Sequence, residues 1–138
     1  MSNRTEEQTV KYMLMIHANV EAMSEGLGWE LADIRAMVNY MHQLNKELAD
    51  SGELLDAQGL GNPEQSKKVQ ARPDGEPVIT DGPFPEAKEV LAGYWLVDVA
   101  DERRVVEIAT RISVTPGPGG APVNQPVQIH PIGEAPEV

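Results

Sequence analysis

Apolar residues fill positions 10–17 almost without a break, Val-Lys-Tyr-Met-Leu-Met-Ile-His. A run this short and this apolar predicts a central strand covered on both faces. Residues 18–28 follow as a predicted loop, with Gly26 and Gly28 as breakers. Beyond them, Ile34, Met37, Met41, Leu44 and Leu48 recur at steps of three and four, the spacing that stacks side chains on one face of a helix. Val38 widens that stripe, while Arg35, Asn39, Gln43 and Lys46 lie off it. Gly52 stands where a left-handed cap would end the helix.

Residues 54–60 read as a second strand and residues 66–72 as a polar, alternating one. Pro73-Asp74-Gly75-Glu76 is a turn, because proline presets one dihedral and glycine supplies a positive φ. Residues 77–80 return as a short strand, so 66–80 form a hairpin. Regular structure then breaks at Asp81-Gly82-Pro83-Phe84-Pro85. Residues 93–99 alternate cleanly, with Trp95, Val97 and Val99 on one face and Tyr94, Leu96 and Asp98 on the other. Asp101 is placed to cap a second helix reaching Ile112, whose apolar face is Val105, Ile108, Ala109 and Ile112. Residues 115–126, rich in proline and glycine, form a connector, and 127–132 a last strand. The division is therefore a polar leader at 1–9, one domain at 10–132 and a tail at 133–138.

This order, β-α-β-(ββ)-β-α-β, predicts an α+β chain: a ferredoxin-like split βαβ subunit with an additional hairpin. Both helices would cover one face of an antiparallel sheet. No helix is left for the other face, which carries one row of residues 93–99 and one of residues 10–17. A second copy packed sheet to sheet is the simplest cover, giving a homodimer through the sheet face.

Composition narrows the function classes. The chain has 138 residues, 41% hydrophobic and 24% charged, the balance of one globular domain. It has no cysteine, which removes disulfides, thiolate catalysis and cysteine zinc sites. The net charge is −11, and the adjacent basic pairs are only Lys67-Lys68 and Arg103-Arg104. Phosphate backbones need clustered cations, so direct nucleic-acid binding is not expected. No apolar run nears the roughly 20 residues that span a bilayer. No membrane association and a cytoplasmic location are expected. There is no glycine-rich phosphate loop and no serine nucleophile elbow.

The chemistry left is carried by a few residues. Asp81 ends a strand before Gly-Pro and has two readings: a general base in a pocket, or a turn residue bonded to neighbouring amides. His17 ends the first strand and His130 lies on the last, which the fold would pair with the first, so the two imidazoles could approach. His42 reads as a solvated helix residue. No metal site is indicated, since no His-x-His or His-x-x-x-His spacing occurs, and no cofactor is implied. Tyr12, Tyr94 and Trp95 flank the central strands; one row belongs to core or interface and the other can line a cavity. Phe84, the sole phenylalanine, either plugs a core or dimer edge or stacks on a ligand. Asp98 is read as helping to cap the following helix, and Asp56 as solvated.

The ordered series Lys11-Tyr12-Met13-Leu14-Met15-Ile16, Gly52-Glu53-Leu54-Leu55, Thr80-Asp81-Gly82-Pro83-Phe84, Glu86-Ala87-Lys88-Glu89 and Gly93-Tyr94-Trp95-Leu96-Val97-Asp98-Val99 resembles the YCII-related family. Within it, the chain looks most like the bacterial branch named for its Asp-Gly-Pro-Phe (DGPF) motif. The resemblance covers residues 10–132 and implies a dimeric α+β barrel. It also implies a His–Asp active site of the kind proposed for some members, and for this branch a link to extracytoplasmic-function sigma factors. Two departures stand out. Pro85 replaces the usual alanine, and the helix offers Tyr40 and His42 rather than the histidine common in other members.

Two functions follow as expectations. One is a small dimeric acid–base enzyme of lyase or isomerase type, with Asp81 as base or orienter, His17 or His130 as proton partner, and Tyr12, Tyr94 and Phe84 against a small-molecule ligand at the interface. The alternative is a non-catalytic ligand-binding or regulatory dimer in a sigma-factor pathway.

Overall fold

Alternation along two paired strands sets the architecture. The computed structural model describes residues 8–83 and 88–136. In chain order the elements are β1 (Val10–Asn19), α1 (Val20–Glu25), α2 (Leu31–Asp50), β2 (Leu54–Gly59), β3 (Lys67–Ala71), β4 (Pro77–Asp81), β5 (Glu89–Val99), α3 (Glu102–Ser113) and β6 (Gln128–Pro131). Four strands form an antiparallel sheet in the order β2-β5-β1-β6. This is the ferredoxin-like order, with each helix linking two strands of the sheet. The hairpin β3–β4 forms a separate two-stranded ribbon paired from Lys67↔Asp81 to Ala71↔Pro77.

The core lies between sheet and helices. Tyr12 and Leu14 of β1, Trp95, Val97 and Val99 of β5, Leu44 and Leu48 of α2, and Val105, Ile108 and Ile112 of α3 are buried together. Each large apolar side chain so enclosed contributes roughly 1.5–3 kcal/mol. The opposite face of the sheet, with Met13, Met15, Tyr94 and Leu96, is half-buried, and no element among the described residues covers it. Within one subunit the described residues thus pack β1 on one face, and cover for its other face would come from outside the subunit.

Local chemistry explains the boundaries. Asp101 caps α3, its side chain accepting from the Arg104 N–H at 2.9 Å, so the capping role falls to Asp101 and not to Asp98. Gly52, at φ +80°, ends the chain's exit from α2. The expected loop at 18–28 instead contains α1, begun by Asn19, whose side chain accepts from the N–H groups of Glu21 and Ala22. One turn with a good cap needs no apolar periodicity, which is why the pattern missed it. The connector at 115–126 holds a short 3₁₀ turn, Pro118–Gly120.

Polar bonds tie the two helices to the sheet and to each other. Arg104 grips Glu53 with two hydrogen bonds of 2.8 Å from Nε and Nη2. Hydrogen bonding to Glu53 holds the guanidinium's pKa above its ordinary value. Arg111 pairs with Glu47 at 2.6 Å, and the Tyr40 hydroxyl donates to the Arg111 carbonyl at 2.7 Å. The Arg111 bond, with a weaker one from Gln43, holds the Glu47 carboxyl below its ordinary pKa.

Arg104→Met takes two charge-assisted hydrogen bonds from a Glu53 carboxylate that is only 12% exposed, leaving it the Ser51 hydroxyl, so it should destabilise the fold by about 2 kcal/mol, measured by urea unfolding. A change within about 0.5 kcal/mol, the scatter of neutral surface substitutions, would show that the pair is solvated. The Glu47 pair makes a pH prediction. Because the folded pKa is lowered, its stabilisation is present above the ordinary glutamate value of 4.5 and is lost as pH falls through the depressed one. Arg111→Met should therefore flatten the acid side of the stability–pH curve while keeping its form above neutrality.

Candidate functional site

Helix α2 is fully buried only over its second half. Its apolar stripe continues from Leu44 and Leu48, both fully buried, back to Met41, Met37 and Ile34, which are only half-buried. Where helix and sheet part, a cleft of about 550 Å³ opens. The α2 wall supplies Met37, Val38, Met41, His42 and Asn45; Ile16, Ala57, Leu60, Ala92 and Trp95 line the sheet side; Leu27 lies on the α1–α2 loop.

The cleft floor follows from backbone detail. The β1–β5 register shifts between Ile16 and His17, a bulge that carries Ala92 out of the ladder. Gly93 sits beside it, where a Cβ would lie 3.1 Å from the Gln58 carbonyl oxygen, so close approach of β5 to β2 needs glycine there. At the inner end, the Trp95 indole N–H donates to Asn45 Oδ1 at 2.9 Å. That bond assigns the amide, turning Asn45 Nδ2 to the other side. His42 stands on the exposed rim, three residues before Asn45. No Asp, Glu, Lys or Arg is among the lining residues. A slightly larger hollow of about 610 Å³ lies over α3. It is bounded by one helix, and its cations Arg103, Arg104 and Arg111 are already paired with Glu107, Glu53 and Glu47.

The open sheet face carries a second set of polar groups. The Tyr94 hydroxyl donates to Asp56 Oδ2 at 3.1 Å, and Gln58 Nε2 donates to Asp56 Oδ1 at 3.0 Å. Asp56 is thus bonded rather than solvated. Hydrogen bonding to the carboxylate, then burial, raises the Tyr94 pKa, keeping the phenol protonated. Asp98 Oδ1 is buried without a hydrogen-bond partner among the described residues, opposite Lys11 in the register.

The residues singled out from the sequence take up separate places. Asp81 ends β4 with its side chain 78% exposed and ion-paired to Lys67 across the hairpin. The Gly82 N–H donates to the Ser66 carbonyl rather than to the Asp81 carboxylate. His17 is half-buried near the end of β1, above a hollow shared with Glu89, Pro126 and Gln128. His130 lies opposite Met13. The two histidines share the open face but are four positions apart along β1, about 13 Å at the rise of a strand. Within one chain they do not meet, and neither meets Asp81. Tyr12 points into the core at 9% exposure, because even-numbered positions of β1 face the helices, and so cannot touch a ligand on the open face. Tyr94 lines the cleft through its place on β5 and presents its hydroxyl to Asp56. Phe84 lies outside the described residues. Sequence reasoning missed Asn45. The signal available was a polar residue four positions after Met41, continuing the apolar stripe where a core residue would stand.

Two comparisons place the chain among known proteins. An uncharacterized protein of Rhizobium meliloti is 36% identical over 63 residues, 45% of this chain and 50% of that relative, so the chain spans about half the length of the relative it matches. The family profile of the YCII-related domain matches residues 10–119, which takes in β1 through α3 and the cleft. The chain belongs to the YCII-related domain family.

Proposed function

We propose that this chain binds a small molecule in the cleft between α2 and the sheet, and that it works as a homodimer joined through the open sheet face. The cleft carries the reading. At about 550 Å³ it has the size of ligand pockets, an apolar lining and a few polar groups at fixed positions. Asp81, His17 and His130 lie apart in the subunit, which favours binding over acid–base catalysis by that trio.

Dimerisation rests on the uncovered row Met13, Met15 and Leu96, which leaves half-buried apolar surface on a sheet that one more layer would close. A second reading, a dimeric lyase or isomerase, is favoured by one observation. His17, His130 and the unpaired Asp98 Oδ1 share the face that a partner would enclose. The Asp-Gly-Pro-Phe segment at 81–84 supports placing the chain in the branch tied to extracytoplasmic-function sigma factors, where a ligand-responsive dimer would act as a regulator. No helix among the described residues is long and apolar enough to cross a membrane, in keeping with a cytoplasmic place of action.

Binding is tested with Nile red, an uncharged apolar fluorophore. Val38→Trp puts a large ring on the half-exposed rim of the cleft and should weaken one-to-one binding about tenfold or more, an effect of ~1.4 kcal/mol. Unchanged affinity would move the site off the cleft. Leu96→Asp should convert a sedimenting dimer into a monomer at micromolar concentration while leaving the cleft able to bind Nile red. A wild-type monomer would remove the dimer from the proposal.

A further inference from the structure

We infer that the cleft selects an uncharged, mainly apolar ligand carrying a carbonyl-type acceptor, recognised by the amide nitrogen of Asn45 and the imidazole of His42. The inference rests on the binding role proposed for the cleft and adds the chemical class of its ligand. Three observations carry it. The Trp95 indole uses Asn45 Oδ1, so the end of that amide left for an occupant is Nδ2, which only donates. Nδ2 has no hydrogen-bond partner among the described residues. His42 is likewise unbonded, lies one helical turn before Asn45 and lines the same cleft, so an imidazole N–H can join Nδ2 on one acceptor atom.

The remaining wall sets the rest of the ligand. Met37, Val38, Met41, Leu60 and Trp95 offer an apolar slot, with two methionines able to reshape around a ring. The absence of Lys and Arg from the lining, on a chain of net charge −11, gives an anion no counter-charge. The absence of Asp and Glu leaves a cation equally unmatched. A neutral ketone, ester, lactone or amide on a flat or branched apolar body satisfies every group.

The experiment compares three probes with one ring system: naphthalene, 1-acetonaphthone and 1-naphthoate, titrated at about pH 8, where naphthoate is fully ionised. Affinity is read from the NMR shift of the Trp95 indole N–H, which also reports whether the bond to Asn45 survives. Acetonaphthone should bind about tenfold more tightly than naphthalene, the worth of one well-made hydrogen bond, and more tightly than naphthoate. Asn45→Asp keeps an oxygen for Trp95 and removes the donor, so it should erase the ketone's advantage and leave naphthalene affinity within about twofold. His42→Leu, on an exposed helix position, should shrink the same advantage with little effect on stability. Equal affinities for naphthalene and acetonaphthone, or an advantage intact in both variants, would overturn the ligand class while leaving the cleft as a binding site. Naphthoate binding tightest would overturn it in favour of an anion. No binding by any probe would take the cleft reading down with it.

Discussion

The pairing of β1 with β5 is the constraint from which the remaining structure follows. Side chains on a strand alternate between faces, so a ten-position ladder in fixed register commits every residue of both strands at once. Tyr12, Leu14, Trp95, Val97 and Val99 must go to the helices, and Met13, Met15, Tyr94, Leu96 and Asp98 to the other side. A slip of one residue would turn Asp98 toward the helices and Val97 away from them. The single bulge near Ile16 is where this rule is suspended, and it lies at the floor of the cleft. The fold breaks its own periodicity at the place where it makes room.

Polar cross-links divide α2 into two regions with different roles. From Tyr40 to its end the helix is held by Tyr40 and Glu47 to α3 and packed through Leu44 and Leu48. Along one side, from Met37 through Met41 and His42 to Asn45, it borders the cleft, whose lining also includes Leu27 of the preceding loop. Asn45 is placed at the boundary, one arm on Trp95 and one toward the cleft. A rigid anchor beside an adaptable methionine wall combines a fixed polar contact with tolerance of ligand shape.

Much of this fold was legible in the chain because its signals are local. The three- and four-residue steps of Ile34 to Leu48, the alternation of residues 93–99, the Pro-Asp-Gly turn and the Asp101 cap each express a preference within a few neighbours. Together they imply the ferredoxin-like order. The site was less legible because its determinants are not local. That His17 and His130 lie on neighbouring strands was readable from topology, but their shared face and four-position offset depend on the β1–β6 register. That Asp81 meets Lys67 depends on the hairpin standing apart from the main sheet. His42 looks solvated on its helix, and it is exposed; what the pattern lacks is the wall across from it. Asn45 gains meaning only when Trp95, fifty residues on, is brought to its oxygen.

The detached hairpin has a consequence for how the chain reaches its native state. β2 and β5 are neighbours in the sheet, yet the whole segment containing β3 and β4 separates them in sequence. Bringing Lys67 to Asp81 removes over a third of the slack that must be closed before Ala57 can find Trp95, lowering the closure entropy by about 0.4 kcal/mol. Hairpins form in microseconds, so this one can zip early, from its own turn, and act as a staple on the unfolded chain. A ribbon that adds nothing to the main core thereby shortens the search for the β2–β5 pairing around it.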